Sequence, residues 1–255
     1  ALKHLAQGKT LFHSSFMDYR FAKFLRNQNI ETIFGSPGQI SNLVDLLKHT
    51  GTDLPNLKIL IMGGSAPTPF LLNRIRMVTN CKLINTYGST EAGYVGSMDL
   101  TESDDGLFKL SSNIEFEIVD ENDTPQPIGS EGIIRYRRTG LNVSYLNNSN
   151  ATLQFFKDGF FYPGDLGMLI DENHFKLLGR ADNLINLAGV KVNPESIEGF
   201  LNSQEEVIDA AAFKFEMENI GEILGIAIVL ADESRLNYIE NKVKTFLSVP
   251  MYKIF

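Results

Sequence analysis

Two apolar stretches that end in glycine constrain this chain most. "LKILIMGG" (57–64) is a continuous hydrophobic run, and "CKLINTYG" (81–88) follows it after the helical pattern "TPFLLNRIRMV" (68–78). A continuous run bounded by glycines suits a strand of a parallel sheet buried on both faces. Upstream, "ETIFGSP" reads as a short strand, and "ISNLVDLLKHTG" as a helix that stops at Gly51. "MDYRFAKFLRNQNI" places Phe21, Phe24 and Leu25 on one helical face, with Ser14 and Ser15 as caps. Strand alternating with helix predicts an α/β fold with helices packed on a parallel sheet. Ligands of such sheets gather at the carboxyl ends of the strands, where "MGGSAP" and "NTYGSTEAG" both fall.

From about residue 100 the pattern becomes short alternating runs such as "IEFEIVD", "GIIRYRRTG", "GFFYPGDLGMLID" and "HFKLLGR", separated by turn residues. This predicts a small antiparallel, barrel-like region. After Arg180, "NPESIEGFLNSQ" reads as a helix with Pro194 in its first turn and Glu195 at its positive end. Two strand-like runs and a helix over "ESRLNYIENKVKTFL" complete a small α+β unit. The expected domains are 1–99, 100–181 and 182–255, the last of them cut short.

Composition excludes several classes. A net charge of −8 argues against a nucleic-acid partner. The single cysteine, Cys81, rules out an internal disulfide and a multi-cysteine zinc site, and fits a reducing, cytoplasmic setting. No apolar run reaches the roughly 18 residues of a membrane span.

The chemistry-bearing residues cluster in glycine-rich turns. In "YGSTE", Gly88 lets a ligand approach the backbone, Ser89 and Thr90 offer hydroxyls, and Glu91 suits a hard cation such as Mg²⁺. The competing reading is a helix start, capped by Ser89 or Thr90 with Glu91 in its first turn. "FYPGDLG" presents Asp165 from a Gly-bounded loop, and "GRAD" brings Arg180 and Asp182 to the joint before the last unit. Arg180 suits phosphate or ribose oxygens, while Asp182 suits a turn.

In this order and spacing, "MGGSAP", "INTYGSTEAG", "GFFYPGDLG", "GRADNLINLAGVKVNPESIE" and "EEVIDAAAF" resemble the adenylate-forming (AMP-binding) superfamily, in its acyl- and aryl-CoA synthetase branch. The resemblance implies that Gly63, Gly64 and Ser65 border adenine, that Asn85 bonds its edge and that Tyr87 stacks on its face. With Gly88 beside it, Thr90 would touch the α-phosphate and Glu91 would ligate Mg²⁺. Asp165 would accept from the ribose hydroxyls, Arg180 would reach ribose or phosphate, Asp182 would be the hinge and Gly189 would line the thiol's path. The implied reaction joins a small carboxylic acid to ATP as acyl-AMP, then passes the acyl group to coenzyme A.

The sequence departs from the family at both ends. The Ser/Thr/Gly-rich loop ending in Pro-Lys is not found among these residues, nor is the Gly-Lys expected after "VPMYKIF". With no Met at its start, the chain is expected to be a fragment, inactive in isolation and prone to self-association through uncovered surfaces. A nucleotide-binding remnant, a carrier-protein-loading adenylation domain and an unrelated α/β protein remain alternatives. His4, His13, His49 and His174 stand at no ligand spacing, and the aromatic run Phe155, Phe156, Phe160 and Phe161 is expected to fill the barrel rather than bind a ligand. Arg135, Arg137 and Arg138 suit a phosphate, but their placement on a strand favours a solvated face.

Overall fold

The computed structural model describes residues 10–13, 18–101, 105–140, 144–187, 190–217 and 221–247. Helix α1 (Tyr19–Asn27) starts where the Asp18 carboxylate accepts from the N–H groups of Arg20 and Phe21 at 3.0 and 3.2 Å. Asp18 therefore fills the capping role; Ser14 and Ser15 lie outside the described residues. The α1 helix buries Ala22 and Leu25, with Phe21 and Phe24 packed beside them.

After β1 (Thr32–Gly35), α2 (Pro37–Thr50) opens on a reciprocal pair. The Ser36 hydroxyl accepts from the Gln39 N–H, while the Gln39 side chain accepts from the Ser36 N–H. It closes on Gly51, whose left-handed φ of 61° favours glycine. Strand β2 (Ile59–Gly63), helix α3 (Pro69–Arg76) and strand β3 (Lys82–Ser89) follow. β2 lies between β1 and β3, parallel to both. Leu60, Met62 and Leu83 pack under Ile40, Leu43, Val44 and Leu47 of α2 and Leu71, Leu72 and Ile75 of α3. The apolar run of β2 predicted burial on both faces. Among the described residues one face is buried and the other only partly covered: Ile59 and Ile61 are half-buried, and Phe34 of β1 is 70% exposed.

The parallel part ends at β3, which turns through residues 90–92 into β4 (Gly93–Asp99), an antiparallel partner. The helix start considered for "YGSTE" is thus a hairpin turn. Strands β5 (Leu107–Leu110), β6 (Glu115–Val119) and β7 (Glu131–Arg137) come next. Helix α4 (Ser149–Phe155) and the short strands β8 (Phe156–Lys157) and β9 (Phe160–Phe161) follow, then β10 (Asp165–Asp171) and β11 (His174–Arg180). All belong to one 11-stranded sheet in the order β1-β2-β3-β4-β5-β11-β10-β7-β9-β8, with β6 on β7. The barrel-like region expected over 100–181 is therefore not a closed barrel among the described residues. Its strands extend the parallel sheet, because β5 pairs with β4 on one side and β11 on the other. With no closed barrel among the described residues, Phe160 and Phe161 are buried against the sheet while Phe155 and Phe156 are half-buried, and Cys81 is part of the first core.

The last unit begins after a 3-10 turn (Ala181–Asn183) and two short strands, β12 (Ile185–Leu187) and β13 (Val190–Val192). In α5 (Pro194–Asn202) the Asn193 carbonyl oxygen of the side chain accepts from the Glu195 N–H at 3.0 Å, and Pro194 fills the first turn. The hairpin of β14 (Val207–Met217) and β15 (Gly221–Leu230) packs with α5 and α6 (Leu236–Leu247) around Ile197, Leu201, Ile239 and Val243. The Asn193 amide also donates to the Leu178 carbonyl, tying this unit to β11. No described helix is long and apolar enough to cross a membrane.

Candidate functional site

The parallel register sets Gly63 beside Thr86, so the loops after β2 and β3 emerge at the same edge of the sheet. Gly64 and Ser65 are exposed there. Along β3, Leu83, Asn85 and Tyr87 share the inward face, as period-two geometry requires. Asn85 is 3% exposed, and its side-chain oxygen has no hydrogen-bond partner.

A bulge follows at the glycine: Tyr87 pairs with Gly96 but Gly88 with Tyr94, so one β4 residue is skipped. A Cβ at Gly88 would stand 2.1 Å from the Gly93 carbonyl oxygen, an approach that only glycine permits. The kink presents Thr90 to solvent and keeps Glu91 half-buried. The Tyr145 hydroxyl donates to Glu91 at 2.7 Å and holds its carboxyl below the usual range. Burial and then contact with that anion push the Tyr145 phenol the other way, up to about 12.

Tyr87, Asp165 and Arg180 meet although 93 residues separate the first from the last in sequence. Asp165 opens β10, Arg180 closes β11, and the antiparallel register sets the two opposite each other. The Tyr87 hydroxyl donates to one Asp165 oxygen at 2.5 Å, and the Arg180 guanidinium to the other at 3.3 Å. Arg180 also donates to the Pro163 carbonyl at 2.7 Å and grips Asp182 through two bonds of 3.0 Å. Asp165 is 9% exposed; burial raises its carboxyl above the ordinary value against the pull of Tyr87 and Arg180. Asp182, paired with Arg180 and open to water, is held below it. The Tyr87 ring packs edge-on against Phe108, Tyr136 and Phe175, which fixes its hydroxyl on Asp165.

Sequence reading missed Tyr145 and Tyr136, whose hydroxyl approaches Ser89 at 3.5 Å. In "NVSYLNN" Tyr145 is the lone aromatic, and that was its only signal. Gly189 lies outside the described residues.

For a metal, Glu91 is the available carboxylate: among the described residues no group of three His, Cys, Asp or Glu side chains converges on one point. One carboxylate fits Mg²⁺, which takes few protein ligands and completes its shell with phosphate oxygens and water.

Residues 4–146 match the AMP-binding enzyme family. The chain belongs to that family. Among its relatives, 4-coumarate–CoA ligase 1 of Glycine max is 30% identical over 226 residues, covering 84% of this chain and 76% of that protein. Oxalate–CoA ligase of Saccharomyces cerevisiae is 26% identical over 191 residues, which are 73% of this chain and 35% of the ligase. The family fold is shared with an amide bond synthetase from Marinactinospora thermotolerans, at a TM-score of 0.78, 20% identity and coverage of 91% of this chain and 48% of that one. It is shared too with o-succinylbenzoate CoA synthetase of Bacillus subtilis in complex with its acyl-adenylate, at a TM-score of 0.76, 21% identity and coverage of 99% and 52%. The chain thus spans about half the length of these solved structures and a third of the yeast ligase.

Proposed function

We propose that this chain carries the nucleotide-binding part of an ATP-dependent acid–thiol ligase, which forms acyl-AMP from a small carboxylic acid and transfers the acyl group to coenzyme A. The observation that carries the reading is the convergence of Tyr87, Asp165 and Arg180 at the sheet edge where the β2 and β3 loops emerge.

In this reading Gly63, Gly64 and Ser65 border the adenine, and Asn85 meets its edge. The partnerless oxygen of buried Asn85 supports that role, since an exocyclic amine would satisfy an acceptor that is costly to leave unpaired. Tyr87 offers a ring face to the base while its hydroxyl holds Asp165 in place. Asp165, ionised, accepts from the ribose hydroxyls, and Arg180 fixes the carboxylate from its far side. Thr90, raised beside the Gly88 bulge, donates to the α-phosphate. Glu91, oriented by Tyr145, would hold Mg²⁺, which would supply positive charge against developing negative charge. In the step itself the acid's carboxylate oxygen attacks the α-phosphorus and pyrophosphate leaves. The protein's own contribution is positioning and fixed dipoles, as in other phosphate displacements. Asp182, in the turn where the sheet ends, serves as the hinge, and Gly189 belongs to the thiol's path. The division into 1–99, 100–181 and 182–255 and a cytoplasmic location belong to the same proposal.

Calorimetric titration of the full 255-residue chain with AMP tests it. Saturable binding that D165A weakens tenfold or more is expected, a loss of about 1.4 kcal/mol or greater, within the range for charged hydrogen bonds. Absence of binding, or an unchanged D165A affinity, would overturn the reading.

A further inference from the structure

Beside β6 and β7 lies a cleft of about 540 Å³ that the nucleotide reading does not use. Ser112, Asn113, Glu115, Arg137, Arg138 and Thr139 line it, the first two from the β5–β6 turn, Arg137 from the end of β7 and Arg138 from just after it. The two arginines differ in what they have left to offer. Arg137 gives Glu115 two hydrogen bonds of 2.7 Å and stands over the Phe160 ring at 4.4 Å. Arg138 makes no ion pair among the described residues. One carboxylate against two guanidiniums leaves the cleft with one uncompensated positive charge, in a chain of net charge −8. The Thr139 hydroxyl and the Asn113 amide N–H add neutral donors, while the Ser112 hydroxyl donates to the Asn113 oxygen at 3.5 Å. Such a set suits a compact anion with several acceptor oxygens better than a single carboxylate.

The cleft also borders the candidate site. Tyr136, two positions before Arg138 in the chain, reaches Ser89 with its hydroxyl at 3.5 Å. The Arg138 guanidinium donates to the Tyr94 carbonyl at 3.5 Å, three residues beyond Glu91. It therefore stands between the cleft and the hairpin that carries Thr90 and Glu91.

We propose that the Arg138 cleft is a binding subsite for phosphate oxyanions, pyrophosphate or the polyphosphate end of a nucleotide, with Arg138 as its principal contact. It goes beyond the nucleotide reading and stands without it. Its affinity depends on an exposed guanidinium, so it weakens as ionic strength rises.

The test is calorimetric titration of the full chain with sodium pyrophosphate in low salt. One saturable site is expected, weakened tenfold or more by R138A and partly restored by R138K. E115Q gives an independent check: it releases Arg137 from its partner and should tighten pyrophosphate binding several-fold, an effect that loss of structure would not produce. Circular dichroism confirms that each variant is folded. A second arm titrates pyrophosphate into chain saturated with AMP or with ATP. Retention with AMP and loss with ATP assigns the cleft to the nucleotide's tail; retention with both assigns it to free phosphate anions. The proposal is overturned if pyrophosphate shows no saturable binding, if R138A binds as well as the parent, or if E115Q weakens binding. Failure of the AMP titration alone would overturn the nucleotide reading and leave this one intact.

Discussion

The Asp165 carboxylate receives a proton donor on each side, Tyr87 at 2.5 Å and Arg180 at 3.3 Å, and still titrates above an ordinary carboxylate because burial outweighs both. Ribose hydroxyls donate to the ionised form, so AMP affinity should fall as pH drops through this raised pKa, at a higher pH than an exposed carboxylate would dictate. In D165N that acid limb should vanish, along with most of the affinity. AMP titrations across the acid range for the two proteins check this, and an identical pH profile in both would refute it. For stability the linkage runs the other way. The folded state takes up the proton before the unfolded state does, so the cost of burying this group is relieved as pH falls.

The β3–β4 hairpin is the element that the candidate site cannot do without. Its bulge exists because Gly88 accepts the Gly93 carbonyl where any side chain would collide. The obstruction is backbone in a paired strand, with Tyr94 and Gly93 held by their own ladder, so it has little room to yield. G88A should therefore destabilise the chain by about 2–4 kcal/mol, as expected when a close backbone approach is overfilled. Urea denaturation measures the loss; a change under about 0.5 kcal/mol, typical of neutral surface substitutions, would contradict the geometry. Helix ends illustrate a different lesson. Ser36, Thr68 and Asn193 each accept from a backbone N–H at the start of a helix, a local interaction that needs no distant partner.

At the scale of the molecule, one face of the parallel sheet is partly open among the described residues, with Phe34 70% exposed on an edge strand and Ile61 half-buried. Exposed apolar surface beside an unpaired edge favours association. Sedimentation velocity should show a concentration-dependent shift to larger species that F34E reduces, and a monomer at every concentration would dismiss the expectation. The α/β rhythm, the Gly51 stop, the Pro194 helix start and the buried aromatics at Phe160 and Phe161 were legible in the chain, because each depends on a few neighbouring residues or on periodicity. So were Glu91, Asp165 and Arg180 as residues of interest, through their glycine-rich settings, and Tyr87 through the family resemblance. The hairpin at 90–92 was not, since Ser89, Thr90 and Glu91 suit a helix start equally well until β4 pairs with β3. Nor was the open sheet: alternating strands predict antiparallel pairing but not which strands pair, and β5 joining β4 to β11 is a long-range choice. Local pattern thus set the elements and marked the polar turns. Only the register of β10 on β11 and the packing of Tyr87 against Phe108, Tyr136 and Phe175 brought a phenol, a carboxylate and a guanidinium to one point, because that juxtaposition depends on contacts between residues far apart in the chain.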